Sequence, residues 1–209
     1  MKKDRELILD LIEEKIFNNR FPKTSINYIA STIKMSKKTI YKNFKSKDEL
    51  LESLINRFTL QISNEMESII KKNINAVEKI ALTIYLLKKI SEKLCDKMIE
   101  EIHIHHPALW QKIEKFRTDV YYKNLLKIFA QGIDEGYVIE IPPLIIMNVF
   151  QSAVQSIIDP SFIISHSFSL TDAFKFTHKL LLNGILTEKG RKELEKLIRK
   201  NKMDFKLNS

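Results

Sequence analysis

The chain reads as all-α, about nine or ten helices, with a small basic unit followed by a larger helical body. Three observations point there. The 209 residues hold only 4 Gly and 5 Pro against 12 Phe and 6 Tyr, too few turn formers for a β-rich fold. Apolar residues recur at helical spacing almost throughout, and a hydrophobic content of 44% is ample for a core. The charge is unevenly placed: although the net charge is only +9, the window Arg20 to Lys47 holds eight basic residues and no acidic one. Such a window suits a polyanion, because each Lys or Arg near a phosphate releases condensed counterions. A lysine-rich composition alone does not explain why acids vanish from one window.

The elements follow in order. Leu7, Ile8, Leu11, Ile12 and Ile16 space a first helix that should end near Arg20, before Phe21-Pro22. Thr24 or Ser25 caps a short second helix that turns Ile26, Ile29, Ala30 and Ile33 inward. Ser36 caps a third, Lys37 to about Asn43, too short to persist unless Ile40 and Phe44 dock on neighbours. Ser46 and Glu49 form a capping box that opens a long helix reaching about Lys72. Further helical segments run near Asn75 to Met98, Ile99 to His106, Pro107 to Gly136, Pro142 to Ile158, Thr171 to Gly184 and Glu188 to Asn201. Pro107 inside its helix start and Gly136 just past the end follow the usual asymmetry. The domain boundary is expected at residue 46, giving units 1–46 and 47–209.

Two short helices joined by a tight turn and preceded by a longer one describe a helix-turn-helix. At 100° per residue Lys37, Lys38, Tyr41 and Lys42 fall within an arc of about 140°, with Ile40 across from it. In a major groove the N-terminal residues of such a helix touch base edges and flanking groups hold phosphates. Lys37, Lys38 and Thr39 are therefore candidates for bases, and Tyr41, Lys42 and Asn43 for bases or backbone. Ser36 opens that helix, Thr24, Ser25 and Asn27 stand at the start of the one before, and Lys47 joins its charge to the free N–H groups of the next.

The run Thr24 to Leu51 closely resembles the signature of the TetR (tetracycline-repressor) family of bacterial transcriptional regulators. The matching residues are Ile29-Ala30, the spaced set Ser36, Thr39, Tyr41 and Phe44, and Ser46-Lys47 followed by Glu49-Leu50. The stretch Gly184 to Gly190 is also similar to the family. One departure is Lys34, which stands where the family has Gly in the turn; either a left-handed lysine there bears strain of order 1 kcal/mol or the turn itself is slightly different.

The resemblance implies a homodimer whose recognition helices read half-sites of a near-palindromic double-stranded DNA operator. It also implies a body that binds a small-molecule effector and relieves repression, with no further cofactor. The helices Pro142 to Ile158 and Thr171 to Leu186 would form the dimer bundle, with Met147, Phe150, Gln151, Val154, Ile158, Phe174, His178 and Leu181 at the interface. An ordinary central core helix is the other reading of the nearly all-apolar first of these. Tyr85, Cys95, His103, Trp110, Phe116, Tyr121, Phe150 and Gln151 are candidates to line an effector cavity, although at helical spacing Leu109, Ile113, Phe116 and Val120 are core by default.

His103 and His106 share a helix face, but no third and fourth ligand follows at a recognisable spacing, so the sequence indicates no metal site. Cys95, the single cysteine, excludes an intrachain disulfide. With no secretory leader and no uncharged apolar run of about 18 residues, a cytoplasmic protein without a membrane span is expected. No nucleophilic triad, phosphate loop or metal-hydrolase motif appears, so an enzyme is not expected. A helical protein-interaction factor of the same fold, acting without specific DNA binding, is the alternative; intact Lys37, Lys38, Tyr41 and Lys47 weigh against it.

Overall fold

The computed structural model describes residues 2–15, 25–93, 96–157, 159, 161–162, 165–166 and 169–199. Thr24, Cys95 and Ile158, expected at sites, lie outside them, as does the end of the first helix near Arg20. The described elements are α1 (Lys2–Lys15), α2 (Ile26–Thr32), α3 (Lys37–Asn43), α4 (Lys47–Lys71), α5 (Ala76–Lys93), α6 (Asp96–His105), α7 (Pro107–Phe116), a π-turn (Arg117–Tyr122), α8 (Lys123–Asp134), α9 (Pro143–Ile157), α10 (Leu170–Ile185) and α11 (Glu188–Arg199). Among the described residues there are no strands, only an isolated antiparallel bridge between Val138 and Leu186. The helix boundary expected at Ile99 falls inside α6, which already begins at Asp96.

Two hydrophobic clusters organise these helices. The first gathers Ile8, Leu9 and Ile12 of α1, Ile29, Ala30 and Ile33 around α2, Ile40 and Phe44 at α3, and Leu50, Leu51 and Leu54 of α4. Ile102 of α6 and Leu109 of α7 complete it, with Trp110 and Ile113 packed alongside. The helix-turn-helix therefore shares its core with the α6–α7 corner, across the expected boundary at residue 46. The second cluster fills the body, from Ile62, Met66 and Ile69 of α4 through Ile80 and Ile84, Tyr121, Tyr122, Leu125, Ile128 and Phe129, to Ile146, Met147, Phe150 and Val154 of α9. Burying ten or more such side chains supplies the main stabilisation of each cluster. Arg57 on α4 ties α1 down from outside, reaching Glu6, Asp10 and Glu13 on successive turns of that helix.

The π-turn resets the face of its helix. Leu109, Ile113 and Phe116 keep an α-helical period, which would continue at Val120; instead Tyr121 and Tyr122 are buried, and Leu125, Ile128 and Phe129 follow in the shifted phase. One extra residue per turn accounts for the shift. Gly136, at φ 72°, then ends α8. Gly190 of α11 is also required: a β-carbon there would lie 2.2 Å from the Tyr137 carbonyl oxygen.

Met147, Phe150, Val154 and His178, expected at a dimer interface, turn into the protomer's own core instead, each at most 6% exposed. Phe174 and Leu181 pack partly buried on the same core, and Gln151 is half-buried. An apolar helix packed on one side must still leave its other side outward. The outward side here carries Leu144, Ile145 and Val149 on α9, with Phe176 and Leu180 on α10.

Candidate nucleic-acid interface

Local capping builds the head. Ser25 precedes α2 and its hydroxyl accepts from the Tyr28 N–H at 3.3 Å; Ser36 does the same for Thr39 at 3.0 Å, with its Oγ also 2.8 Å from Thr39 Oγ1. Each satisfies one of the free donors of a helix start. Between them the chain reverses through Lys34, the one non-glycine residue at positive φ (57°) among those described, and the Met35 N–H returns to the Ala30 carbonyl at 3.0 Å. Of the two possibilities at this turn, a left-handed lysine is the one that forms, with the side chain outward.

The α3 helix is anchored by Ile40 and Phe44, 0% and 1% exposed. With these two locked inward, the helical period leaves Lys37, Lys38, Thr39, Tyr41 and Lys42 outward, and all five are exposed. Among the described residues no carboxylate pairs with Lys37, Lys38 or Lys42. Asn43 is half-buried, and its side-chain amide donates to the Thr39 carbonyl at 3.0 Å. Ser25, Asn27 and Ser36 are exposed beside this face.

The start of α4 makes two contacts that are not expected from the sequence. The Glu49 N–H does donate to Ser46 Oγ at 3.1 Å, but the Glu49 carboxylate accepts from the N–H of Lys45, at 2.6 Å, and so reaches past the cap itself. Arg5 holds the other oxygen of the same carboxylate, its Nη1 2.7 Å from Glu49 Oε1. Hydrogen bonding to Arg5 first, and to the Lys45 amide second, holds the Glu49 carboxyl below its ordinary range. Lys47, whose charge is expected to favour a phosphate together with the free N–H groups of α4, has Nζ 3.2 Å from Glu101 Oε1 of α6. Neither Arg5 nor Glu101 stands out in the sequence, since both partners are tens of residues away; an arginine amid so many lysines is the only hint.

The expected effector residues divide between the two clusters. Trp110 packs on the head cluster and meets His103 edge to face at 5.0 Å. Phe116, Tyr121 and Phe150 belong to the body, Phe150 lying 5.4 Å from Phe129. Tyr85 is half-buried beneath the Lys89 ammonium, 4.5 Å from its ring centroid. An open cleft of about 800 Å³ beside the end of α9 is lined by Ser152, Gln155, Ser156, Asp159, Ser161, Phe162 and Ser165, none of them in the expected set. The three histidines diverge: His103 contacts Trp110, His105 is exposed, and His106 pairs with Asp48. No group of three or more His, Cys, Asp or Glu is placed to hold a metal among the described residues.

The helix-turn-helix residues 8–54 match the family described as bacterial regulatory proteins, tetR family. The fatty acid metabolism regulator protein of Bacillus subtilis is 31% identical over 137 residues, covering 64% of this chain and 70% of that protein. The chain belongs to the tetR family. Another relative, the HTH-type transcriptional regulator YvaF of Bacillus subtilis, is 21% identical over 179 residues, 85% of this chain and 91% of its own. The crystal structure of the transcriptional regulator FadR from Bacillus subtilis, solved with stearoyl-CoA, shares the fold at a TM-score of 0.55 and 22% identity, covering 88% of this chain and 98% of that one. This TetR-family protein is thus a helix-turn-helix transcriptional regulator, and its fold is that of regulators. No helix among the described residues is long and apolar enough to cross a membrane.

Proposed function

We propose that the protein is a homodimeric, sequence-specific repressor whose α3 helix reads a near-palindromic operator, and that a long-chain acyl thioester releases it. The observation that carries the DNA reading is the outward face of α3, where Lys37, Lys38, Tyr41 and Lys42 stand together with no acidic partner among the described residues. Thr39 and Asn43 extend that face toward bases or backbone; Ser25, Asn27 and Ser36 flank it.

Dimerisation is supported by the outward sides of α9 and α10. Leu144, Ile145, Val149, Phe176 and Leu180 are each more than half exposed, an unusual cluster for an isolated chain. A second copy packed on these two helices buries them. The acyl thioester is supported by the relatives, one named for fatty acid metabolism and one crystallised with stearoyl-CoA. Phe116, Tyr121 and Phe150 lie in the apolar core of the body, whose chemistry suits such a chain better than a polar effector.

The test selects bound duplexes from random-sequence DNA and then adds stearoyl-CoA to the complex. A symmetric site bound about 10³-fold more tightly than random DNA, and released by the thioester, is the expected result. Enrichment of no site refutes specific recognition. A specific site indifferent to stearoyl-CoA removes the effector assignment alone.

A further inference from the structure

The first turn of α4 is held by the body. Lys47 meets Glu101 of α6, His106 Nδ1 lies 2.8 Å from Asp48 Oδ1, and Lys112 of α7 pairs with Glu52. The three pairs lie along one seam, on residues 47, 48 and 52 of α4. Beneath it Ile102, Leu109, Trp110 and Ile113 join the cluster that contains Leu50, Leu51 and Leu54. This packing fixes the α6–α7 corner against α4 and sets the position of Glu101. The Lys47 and Glu101 side chains are only 31% and 26% exposed, so their attraction is screened less than on open surface.

Lys47 is also the cation that sits at the N-terminus of α4, where its charge and the free backbone N–H groups together favour a phosphate. One ammonium can touch two oxygen ligands, but its charge counts once. A lysine already neutralised by a carboxylate displaces less of the counterion atmosphere of DNA.

We propose that Glu101 is an intramolecular competitor of DNA phosphate for Lys47, so that the body restrains the head through this charge pair. The inference rests on the reading of Lys47 as a phosphate contact. Linkage makes the effect reciprocal: opening the pair tightens DNA binding, and bound DNA weakens the pair. A displacement of α6 away from α4 therefore changes DNA affinity without any change in α3.

The experiment measures binding of the full-length protein to a labelled 30-base-pair duplex of random sequence by anisotropy across a salt series. It compares wild type, Glu101→Gln, Lys47→Gln and the double variant, with thermal unfolding to confirm that each is folded. Glu101→Gln is expected to bind about two- to fivefold more tightly at low salt, in line with a partly exposed ion pair. Its plot of log affinity against log salt should steepen by about 0.9, one further phosphate neutralised. Lys47→Gln should weaken binding, and in its background the Glu101 gain should vanish. Unchanged affinity and slope in Glu101→Gln, with Lys47→Gln weakened, overturn the competition and leave the Lys47 contact standing. A Glu101 gain that persists without Lys47 is a general field effect and also overturns it. Unchanged binding by Lys47→Gln removes the phosphate contact, and the inference with it. Glu101→Ala repeats the measurement without a side-chain acceptor.

Discussion

Arg5 and Glu49, 44 residues apart, meet at 2.7 Å and join the first helix to the start of the fourth beside the recognition helix. The same guanidinium donates to the Asn43 carbonyl at 2.9 Å and to Ser53 Oγ at 2.7 Å, and its carbon lies 4.3 Å from the Phe44 ring centroid. Arg5 thus closes the C-terminal end of α3, whose carbonyls have no helical partner. Arg5→Ala should lower stability by about 1 to 2 kcal/mol, from lost charge-assisted bonds and the cation–π contact. Urea unfolding measures it, and a loss equal to that of an exposed-lysine control would refute the clamp.

The strain at Lys34 should be recoverable. Glycine removes a left-handed penalty of about 1 to 2 kcal/mol and adds back part of it as unfolded-chain entropy. Lys34→Gly is therefore expected to stabilise the protein by about 0.5 to 1 kcal/mol in the same unfolding assay, and Lys34→Val to destabilise it.

The outward apolar face makes a sharp statement about assembly. Leu180→Asp, at a position 75% exposed, should leave helicity unchanged and shift the sedimentation coefficient from dimer to monomer at micromolar concentration. Val154→Asp, by contrast, buries a charge in the core and should unfold the protomer. Dimers that survive Leu180→Asp would place the interface elsewhere.

His178 is packed against Phe174 at 4.0 Å and Phe150 at 5.6 Å, with Nδ1 beside the Phe174 carbonyl at 2.8 Å. Burial lowers its pKa to about 4 against an unfolded value near 6.5. Above pH 6.5 the imidazole is neutral in both states and has no effect on stability. Between 6.5 and 4 the unfolded chain binds more protons, so stability falls with decreasing pH, by about 3 kcal/mol over the interval. The difference in stability between wild type and His178→Leu should follow that slope over this window; a flat difference would mean a solvated imidazole.

The Tyr122 hydroxyl is buried with no well-directed hydrogen bond among the described residues, and burial raises its pKa. Removing the hydroxyl gives up a loose contact with the neighbouring Arg117 guanidinium and spares a desolvation penalty, two effects that largely offset. Tyr122→Phe should be neutral or stabilising by up to about 1 kcal/mol, read from the urea midpoint.

The helix-turn-helix was readable because its signals are local. Ser25, Ser36 and Ser46 each bond an amide three residues on, and Ile40 and Phe44 declare the inner side of a helix too short to have two. The α9 face was not readable for the opposite reason: Leu144, Ile145, Met147, Val149, Phe150 and Val154 are apolar all round, so periodicity cannot say which side meets a partner. In the helix after Pro107 the period is clear but breaks at the π-turn, which displaces the buried position from Val120 to Tyr121. The Lys47–Glu101 pair spans 54 residues, and no sequence spacing reports it.

The seam between α4 and the α6–α7 corner bears on how such regulators can be recombined. A head cut after residue 54 would take Leu50, Leu51 and Leu54 with it but leave Ile102 and Leu109 behind, exposing an oily underside. Grafting this head onto another body therefore calls for transplanting the α6–α7 corner as well, as part of the same inherited unit.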